Sequence, residues 1–266
     1  LKSYNDLFLK KKINLSNKKF GKLSLINEAF QNCYLDLPKT DSKFLNLINS
    51  DDGDYTRYLF FHINNLILKK DFNSINKISK NISSLNSNLL IQQTKHWIDS
   101  SNFNKFNKFF SCKKESDIIA EFFFLVSNFL AAEENFQKSN FYFNISNYLN
   151  PKFYFNLTHL VSNYFEIENY NKSREILNNF NKEDEIYYWY KLKKISQIIY
   201  NENKPEQSIT YIEKKFKNYS NPSIKIIYDM ANIYKKNQEF EKSIKFYSML
   251  LNKLDENSDE YADVLY

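Results

Sequence analysis

The chain contains few of the residues that bend or terminate regular structure. Its 266 residues include two glycines and four prolines. All-β folds place glycine and proline in their many turns, so this composition argues against a β-rich fold. With glycine only at Gly21 and Gly53, neither a dinucleotide-binding fingerprint nor a phosphate-binding loop can be built.

Cysteine is also scarce, and long apolar runs are missing. Cys33 and Cys112 lie far apart, in different helical segments. This spacing indicates neither a disulfide framework nor a Cys-x-x-Cys metal or redox site, so we expect two buried or reduced thiols, without excluding an oxidising compartment. No apolar run reaches the ~18 residues of a transmembrane helix. We therefore expect a soluble protein without a membrane span, and the cytoplasm and the periplasm both stay open.

The three histidines are isolated from one another and from carboxylates. His62, His96 and His159 have no second histidine, aspartate or glutamate at metal-ligand spacing, so the pattern predicts partly buried or groove-lining imidazoles. The sequence also contains no pattern that indicates a catalytic pair of a nucleophile and a general base. We expect a non-catalytic protein that needs neither a cofactor nor a metal.

Positive charge is concentrated in the first half of the chain. Residues 1–119 contain 19 Lys and Arg against 11 Asp and Glu, whereas residues 120–266 carry a net charge of −2. The lysines are densest at positions 10–12, 18, 19 and 22. They could form a patch for an anionic partner, although a solvated lysine-rich helix face explains them as well.

One pattern recurs four times between residues 120 and 257. A short polar turn is followed by an aromatic residue or proline and then by a serine, in segments 135–139, 169–173, 204–208 and 239–243. The serines Ser139, Ser173, Ser208 and Ser243 are 34, 35 and 35 residues apart. A fixed period in this range is typical of helix pairs that stack into a solenoid.

Small residues mark where the two helices of each pair should cross. Apolar residues at spacings of three and four define one stripe on each helix, and a small or medium residue interrupts the stripe of each first helix. These residues are Ser127, Val161, Ser196 and Ala231. We expect them to face the four serines across close crossings rather than to perform hydroxyl chemistry.

These features make residues 120–257 resemble the tetratricopeptide repeat (TPR). The shared features are the aromatic that opens the second helix, the small residue three positions later and, in one unit, the closing Pro151. The order of units from Glu121 to Trp189 is also similar to long multi-repeat TPR proteins of alphaproteobacteria. The resemblance implies an all-α, right-handed α-solenoid of stacked antiparallel helix pairs, whose first helices line a concave groove.

Weaker repeats precede this region. Residues 55–119 are interpreted as two degenerate TPR-like repeats, because the helix pairs at 55–82 and 89–110 have spacings close to those further along. Residues 1–54 are interpreted as a helical segment. Within it, residues 20–48 are either one further degenerate repeat or not a repeat, and residues 1–19 are not assigned. Residues 258–266 are expected to begin a further repeat, as in an excerpt of a longer protein.

The resemblance implies that partners bind to residues of the first helices that lie off the packing stripe. These are Phe124, Asn128, Thr158, His159, Ser162, Lys193, Lys194, Gln197, Tyr228, Asn232 and Lys235. The sequence does not match the carboxylate-clamp motif of chaperone-type TPR domains, because Asp229 stands where that motif has Asn. We expect Phe124 and Tyr228 to supply most of the affinity by burying apolar surface, because exposed ion pairs contribute under ~1 kcal/mol each.

The sequence thus favours a protein–protein interaction scaffold that binds a peptide or helix of a partner in the groove. A helical-repeat RNA-binding protein is the first alternative, but no regular pair of base-reading residues is present, and the basic half has the poorer repeats. A structural arm of a larger enzyme or envelope assembly complex is the second. The oligomeric state stays open.

Overall fold

The computed structural model describes residues 1–10, 21–50 and 54–265, and these residues form an all-α structure without strands. Part of the lysine-rich segment, at positions 11, 12, 18 and 19, lies outside the described residues. The helices are α1 (Lys2–Lys10), α2 (Lys22–Tyr34), α3 (Thr40–Ile48), α4 (Tyr58–Leu68), α5 (Phe72–Lys80), α6 (Leu89–Asp99), α7 (Asn104–Phe109), α8 (Glu115–Ala132), α9 (Phe136–Leu149), α10 (Phe155–Glu166), α11 (Tyr170–Leu177), α12 (Glu185–Asn201), α13 (Pro205–Phe216), α14 (Ile224–Lys236), α15 (Phe240–Leu251) and α16 (Asp259–Leu265).

The helices from α2 to α15 form consecutive pairs joined by one kind of turn. In each turn a residue other than glycine adopts a positive φ between 55° and 62°. These residues are Asp36, Lys70, Ser101, Glu134, Glu168, Asn203 and Gln238. In the α8–α9 turn, the N–H of Glu134 donates to the carbonyl of Ala131 and that of Asn135 to Leu130, which is a Schellman motif. The same kind of turn therefore also joins the helix pairs upstream of residue 120.

The second helices of the four clear repeats begin where the sequence predicts. They start at Phe136, Tyr170, Pro205 and Phe240. The Asn135 side chain caps α9 by accepting a hydrogen bond from the Lys138 N–H at 3.4 Å, which satisfies a donor that the helix leaves unpaired.

The four serines are buried at helix crossings, as predicted. Each is at most 3% exposed, and each hydroxyl donates to the carbonyl twelve residues earlier, at distances between 2.7 and 3.1 Å. The acceptors are Ser127, Val161, Ser196 and Ala231. A larger side chain at either position would push the paired helices apart.

The chain forms two compact units. The first consists of Leu1–Ile82 and Asn88–Ile176, and the second of Ser83–Ser87 and Leu177–Tyr266. The core of the first unit is rich in phenylalanine, and Phe153 illustrates the packing. Its ring lies 4.8 Å from Phe109, 5.6 Å from Phe60 and 5.8 Å from Phe110, centroid to centroid. Such edge-on and tilted pairs stabilise beyond the area they bury.

A buried ion pair crosses this aromatic core. Arg57 Nε donates to Glu121 Oε1 at 2.9 Å, and its Nη2 donates to Glu121 Oε2. The guanidinium carbon lies 3.6 Å from the centroid of the Phe124 ring and 5.0 Å from that of Phe155. Because both charges are buried, each depends on the other, and removing one would leave an uncompensated charge in the core.

The expectation of two separate thiols is wrong. Cys33 and Cys112 form a disulfide with a Cα–Cα distance of 5.9 Å. The bond links α2 to the residues just before α8, and both cysteines are buried. Sequence spacing alone does not reveal the pair, because packing of α2 and α4 against the segment that follows α7 brings together two residues that are 79 positions apart.

The second unit has two hydrophobic clusters that share α14. One contains Trp189 and Leu192 from α12, Ile212 from α13 and Met230 from α14. The other contains Ile227, Leu250 and Val264 together with Leu85, which lies in the segment Ser83–Ser87. Helix α14 thus packs on both sides, and this fixes which of its residues remain accessible.

We predict that Ser173→Leu lowers the free energy of unfolding by roughly 1–3 kcal/mol, because the added carbons overpack the crossing. Ser173→Ala, which removes only the hydrogen bond to Val161, should cost about 1 kcal/mol. Urea denaturation measures both. Asn171→Leu, on the exposed side of the same helix, is the matched control, and a Ser173→Leu variant as stable as that control would contradict the packing.

We also predict that replacing both cysteines, as Cys33→Ser with Cys112→Ser, lowers the free energy of unfolding by roughly 2–5 kcal/mol. The bond closes a long loop and so restricts the unfolded chain. Wild-type protein denatured with a reductant present should match the double variant. Two thiols that react readily in the native, non-reduced protein would contradict the disulfide.

Candidate functional site

The second unit carries a cleft between α12 and α14, above the crossing of α12 and α13. Its volume is about 170 Å³. The lining residues recur at helical spacing on each of the two helices, which places them on one face. They are Lys193, Ser196, Gln197 and Tyr200 on α12, Ser208 on α13, and Asp229, Asn232, Ile233 and Lys236 on α14, with Asn237 just beyond it.

Asp229 organises one end of the cleft. Its Oδ2 lies 2.7 Å from Lys193 Nζ and accepts a hydrogen bond of 2.8 Å from Trp189 Nε1. Its Oδ1 lies 3.5 Å from Lys225 Nζ. Burial of the Lys225 ammonium lowers its pKa, and Asp229 opposes that shift. The Asp229 carboxylate therefore already occupies the position beside the Lys193 ammonium where an anionic ligand would bind.

The rest of the cleft offers amide, ammonium and aromatic groups. Gln197 is exposed, and Lys236 Nζ lies 5.1 Å from the centroid of the Tyr200 ring. Asn232 is held in place, because its Oδ1 accepts a hydrogen bond of 2.8 Å from the Tyr247 hydroxyl and its Nδ2 donates to the Tyr228 carbonyl at 3.0 Å. Donors of this kind bind carboxylates and peptide carbonyls.

The structure brings together three of the predicted residues of the second unit. Lys193, Gln197 and Asn232 line the cleft, whereas Lys194 and Lys235 do not. Tyr228 does not line the cleft, and its ring lies 6.3 Å from the Tyr247 ring, centroid to centroid. The aromatic residue of the cleft is Tyr200 instead.

Two of the five predicted residues of the first unit lie in its core. Phe124 is 2% exposed and Thr158 is 5% exposed, so the expected surface position is wrong for both. Thr158 donates to the Phe155 carbonyl at 2.6 Å. Asn128 and Ser162 are half-buried.

His159 is half-buried among phenylalanines of the first unit. Its ring centroid lies 4.9 Å from that of Phe155 and 5.0 Å from that of Phe124. Burial, with a smaller contribution from Arg57, lowers the pKa of His159 to about 3. The imidazole is therefore neutral at physiological pH and acts as a packing group.

Sequence reasoning missed Tyr200, Asp229 and Lys236 as cleft residues. In the repeat register, Ala231 is equivalent to Ser196, 35 residues earlier, and Tyr228 is equivalent to Lys193. The register thus places Tyr228, rather than Asp229, level with Lys193. In the folded protein the two helices face each other with Asp229 opposite Lys193. The opposite charges of these two residues were the available signal.

No family model matches the chain, and no curated protein is significantly similar to it. Among the described residues, no helix is long and apolar enough to cross a membrane. Within the same ranges, no three His, Cys, Asp or Glu side chains converge in a way that could hold a metal ion. The geometry of the cleft therefore carries the functional argument.

We predict that His159 makes the protein less stable in acid. The unfolded chain binds a proton at the ordinary pKa of 6.5, whereas the folded protein does so only near 3. The free energy of unfolding should fall as the pH drops from about 6.5 towards 3. His159→Leu should flatten this dependence, and the imidazole resonance of His159 should not shift between pH 8 and about pH 4. A midpoint near 6.5 would contradict the burial.

Proposed function

We propose that the chain is a non-catalytic scaffold of TPR-like repeats, stacked as a right-handed α-solenoid, which binds an extended acidic segment of a partner protein. The single observation that carries the proposal is the cleft between α12 and α14. Rigid helices there present two lysines, three amides and a tyrosine around a volume of about 170 Å³. Such a space accommodates a side chain or a few backbone atoms rather than a whole helix.

The charge of the cleft favours an anionic ligand. Lys193 and Lys236 both line it, with Asp229 as the single carboxylate among the lining residues. The Lys193 side chain is 23% exposed, so a ligand carboxylate can reach its ammonium and displace part of the Asp229 contact. Amides at Gln197 and Asn237 can pair with peptide backbone on either side.

Affinity should be modest and partly apolar. An accessible ion pair contributes under ~1 kcal/mol, because water and salt screen it. The Tyr200 ring offers a flat surface for an aliphatic or aromatic side chain next to the ligand's carboxylate. The amides of Gln197 and Asn237 match the hydrogen-bonding groups of a peptide backbone, so we favour a protein segment over an RNA.

We predict that Asp229→Asn strengthens the binding of acidic peptides by roughly threefold to tenfold, since Lys193 loses its internal competitor. Asn retains an acceptor for Trp189 Nε1. Lys193→Ala should weaken binding by a similar factor, and high salt should remove the difference. An array of decapeptides graded in net charge, probed with the full chain, supplies the ligand, and fluorescence anisotropy measures its affinity.

Lys214→Ala is the matched control for the lysine, because Lys214 is exposed on α13 and does not line the cleft. Equal losses for Lys193→Ala and Lys214→Ala would mean that only the overall charge matters. Selection of basic peptides by the array would contradict the proposal outright, and salt-sensitive binding of a single-stranded RNA that competes with the peptide would favour the nucleic-acid alternative.

A further inference from the structure

A five-residue segment of the second unit is bound like a peptide ligand. Ser83–Ser87 lies between α5 and α6 in sequence, has no helical structure, and belongs to the second compact unit. Leu85 is 2% exposed and packs in the cluster of Ile227, Leu250 and Val264. One apolar anchor thus enters a pocket formed by α14, α15 and α16.

Glu260, in the first turn of α16, binds the backbone of this segment. Its Oε1 accepts hydrogen bonds from the Ser84 N–H at 2.6 Å and the Leu85 N–H at 3.2 Å. The Ser83 hydroxyl donates to the same oxygen at 2.7 Å. Backbone contacts of this kind recognise an extended or turning chain irrespective of most side chains, and the single hydroxyl adds selectivity.

Two further contacts complete the recognition. Lys225 Nζ donates to the Leu85 carbonyl at 2.8 Å, and the Asn86 amide donates to Asp263 Oδ2 at 2.8 Å. Both donor and acceptor groups of the Leu85 backbone are therefore paired with side chains of the second unit. These side chains come from α14 and α16, on either side of the apolar pocket.

We propose that the groove formed by α14, α15 and α16 is a peptide-recognition site, which Ser83–Ser87 occupies as a displaceable internal ligand. The external partner has the same chemistry: a leucine with a hydroxyl residue two positions before it and an amide side chain directly after it. This site uses Ile227 of α14, whereas the cleft that carries the proposed function uses Asp229. The two proposals rest on different ligands and separate experiments, although Lys225 contacts both Asp229 and Leu85.

Covalent connection explains why the internal segment holds the site. A single leucine and a few hydrogen bonds bind weakly between separate molecules, but a tethered segment experiences an effective concentration on the order of millimolar. An external peptide must exceed that concentration, or the internal segment must be released. Disabling the internal segment should therefore expose a site for the peptide in trans.

The test uses the full chain and a fluorescein-labelled synthetic peptide of residues 81–89. Leu85→Asp should release the internal segment, because an isolated carboxylate is not tolerated in the apolar pocket. Fluorescence anisotropy should then show saturable binding to this variant and at least about tenfold weaker binding to the wild type. Adding Glu260→Ala to the variant should abolish binding, and so should Leu85→Asp in the peptide.

Circular dichroism separates release from unfolding. Should Leu85→Asp reduce the helix content, Leu85→Ala, which only shortens the anchor, takes its place in the same titrations. A folded variant that does not bind the peptide overturns the proposal, as does equal binding to wild type and variant. Binding that survives Glu260→Ala places the peptide elsewhere and also overturns it. If acidic peptides do not bind at Lys193, the result of this titration with the 81–89 peptide still decides the present proposal.

Discussion

The structure from α8 to α15 depends on one repeated constraint, which is the close crossing of the two helices in each of its four hairpins. A serine hydroxyl from the second helix donates to a carbonyl of the first helix, twelve residues earlier. The bond requires the helix backbones to approach closely, and this excludes large side chains at both positions. The same bond gives the buried serine hydroxyl a hydrogen-bond partner, and burying that hydroxyl without a partner would lower the stability of the fold. The left-handed residue in each turn supports this geometry, because it reverses the chain within two or three residues.

Aromatic side chains and one ion pair complete the first unit. Phenylalanine side chains fill the core of this unit, as around Phe153. Arg57 is inserted among these rings and is paired with Glu121. The π faces partly replace the water that the guanidinium loses, so a charge is accommodated where an isolated one would not be.

Helix α14 links the two proposed binding surfaces of the second unit. On one side Asp229 holds Lys193 at the cleft, and on the other Ile227 contacts the Leu85 cluster. Lys225 reaches both, since its ammonium lies 3.5 Å from Asp229 Oδ1 and donates to the Leu85 carbonyl. A ligand that draws Asp229 away from this lysine would thus alter a contact of the internal segment. Only the folded arrangement reveals this connection.

The sequence by itself determined the helix pairs, the starts of their second helices and the four crossing serines. These features depend on local periodicity and turn chemistry, which repeat every 34 or 35 residues. Tertiary structure alone decided the Cys33–Cys112 bond, the burial of Phe124 and the pairing of Lys193 with Asp229. The disulfide depends on how the segment before α8 packs against α2. The other two depend on the rotation of one helix against another, where a shift of one residue turns a side chain by about 100°. Repeat spacing does not specify that rotation, so the packing of whole side chains decides which residues meet.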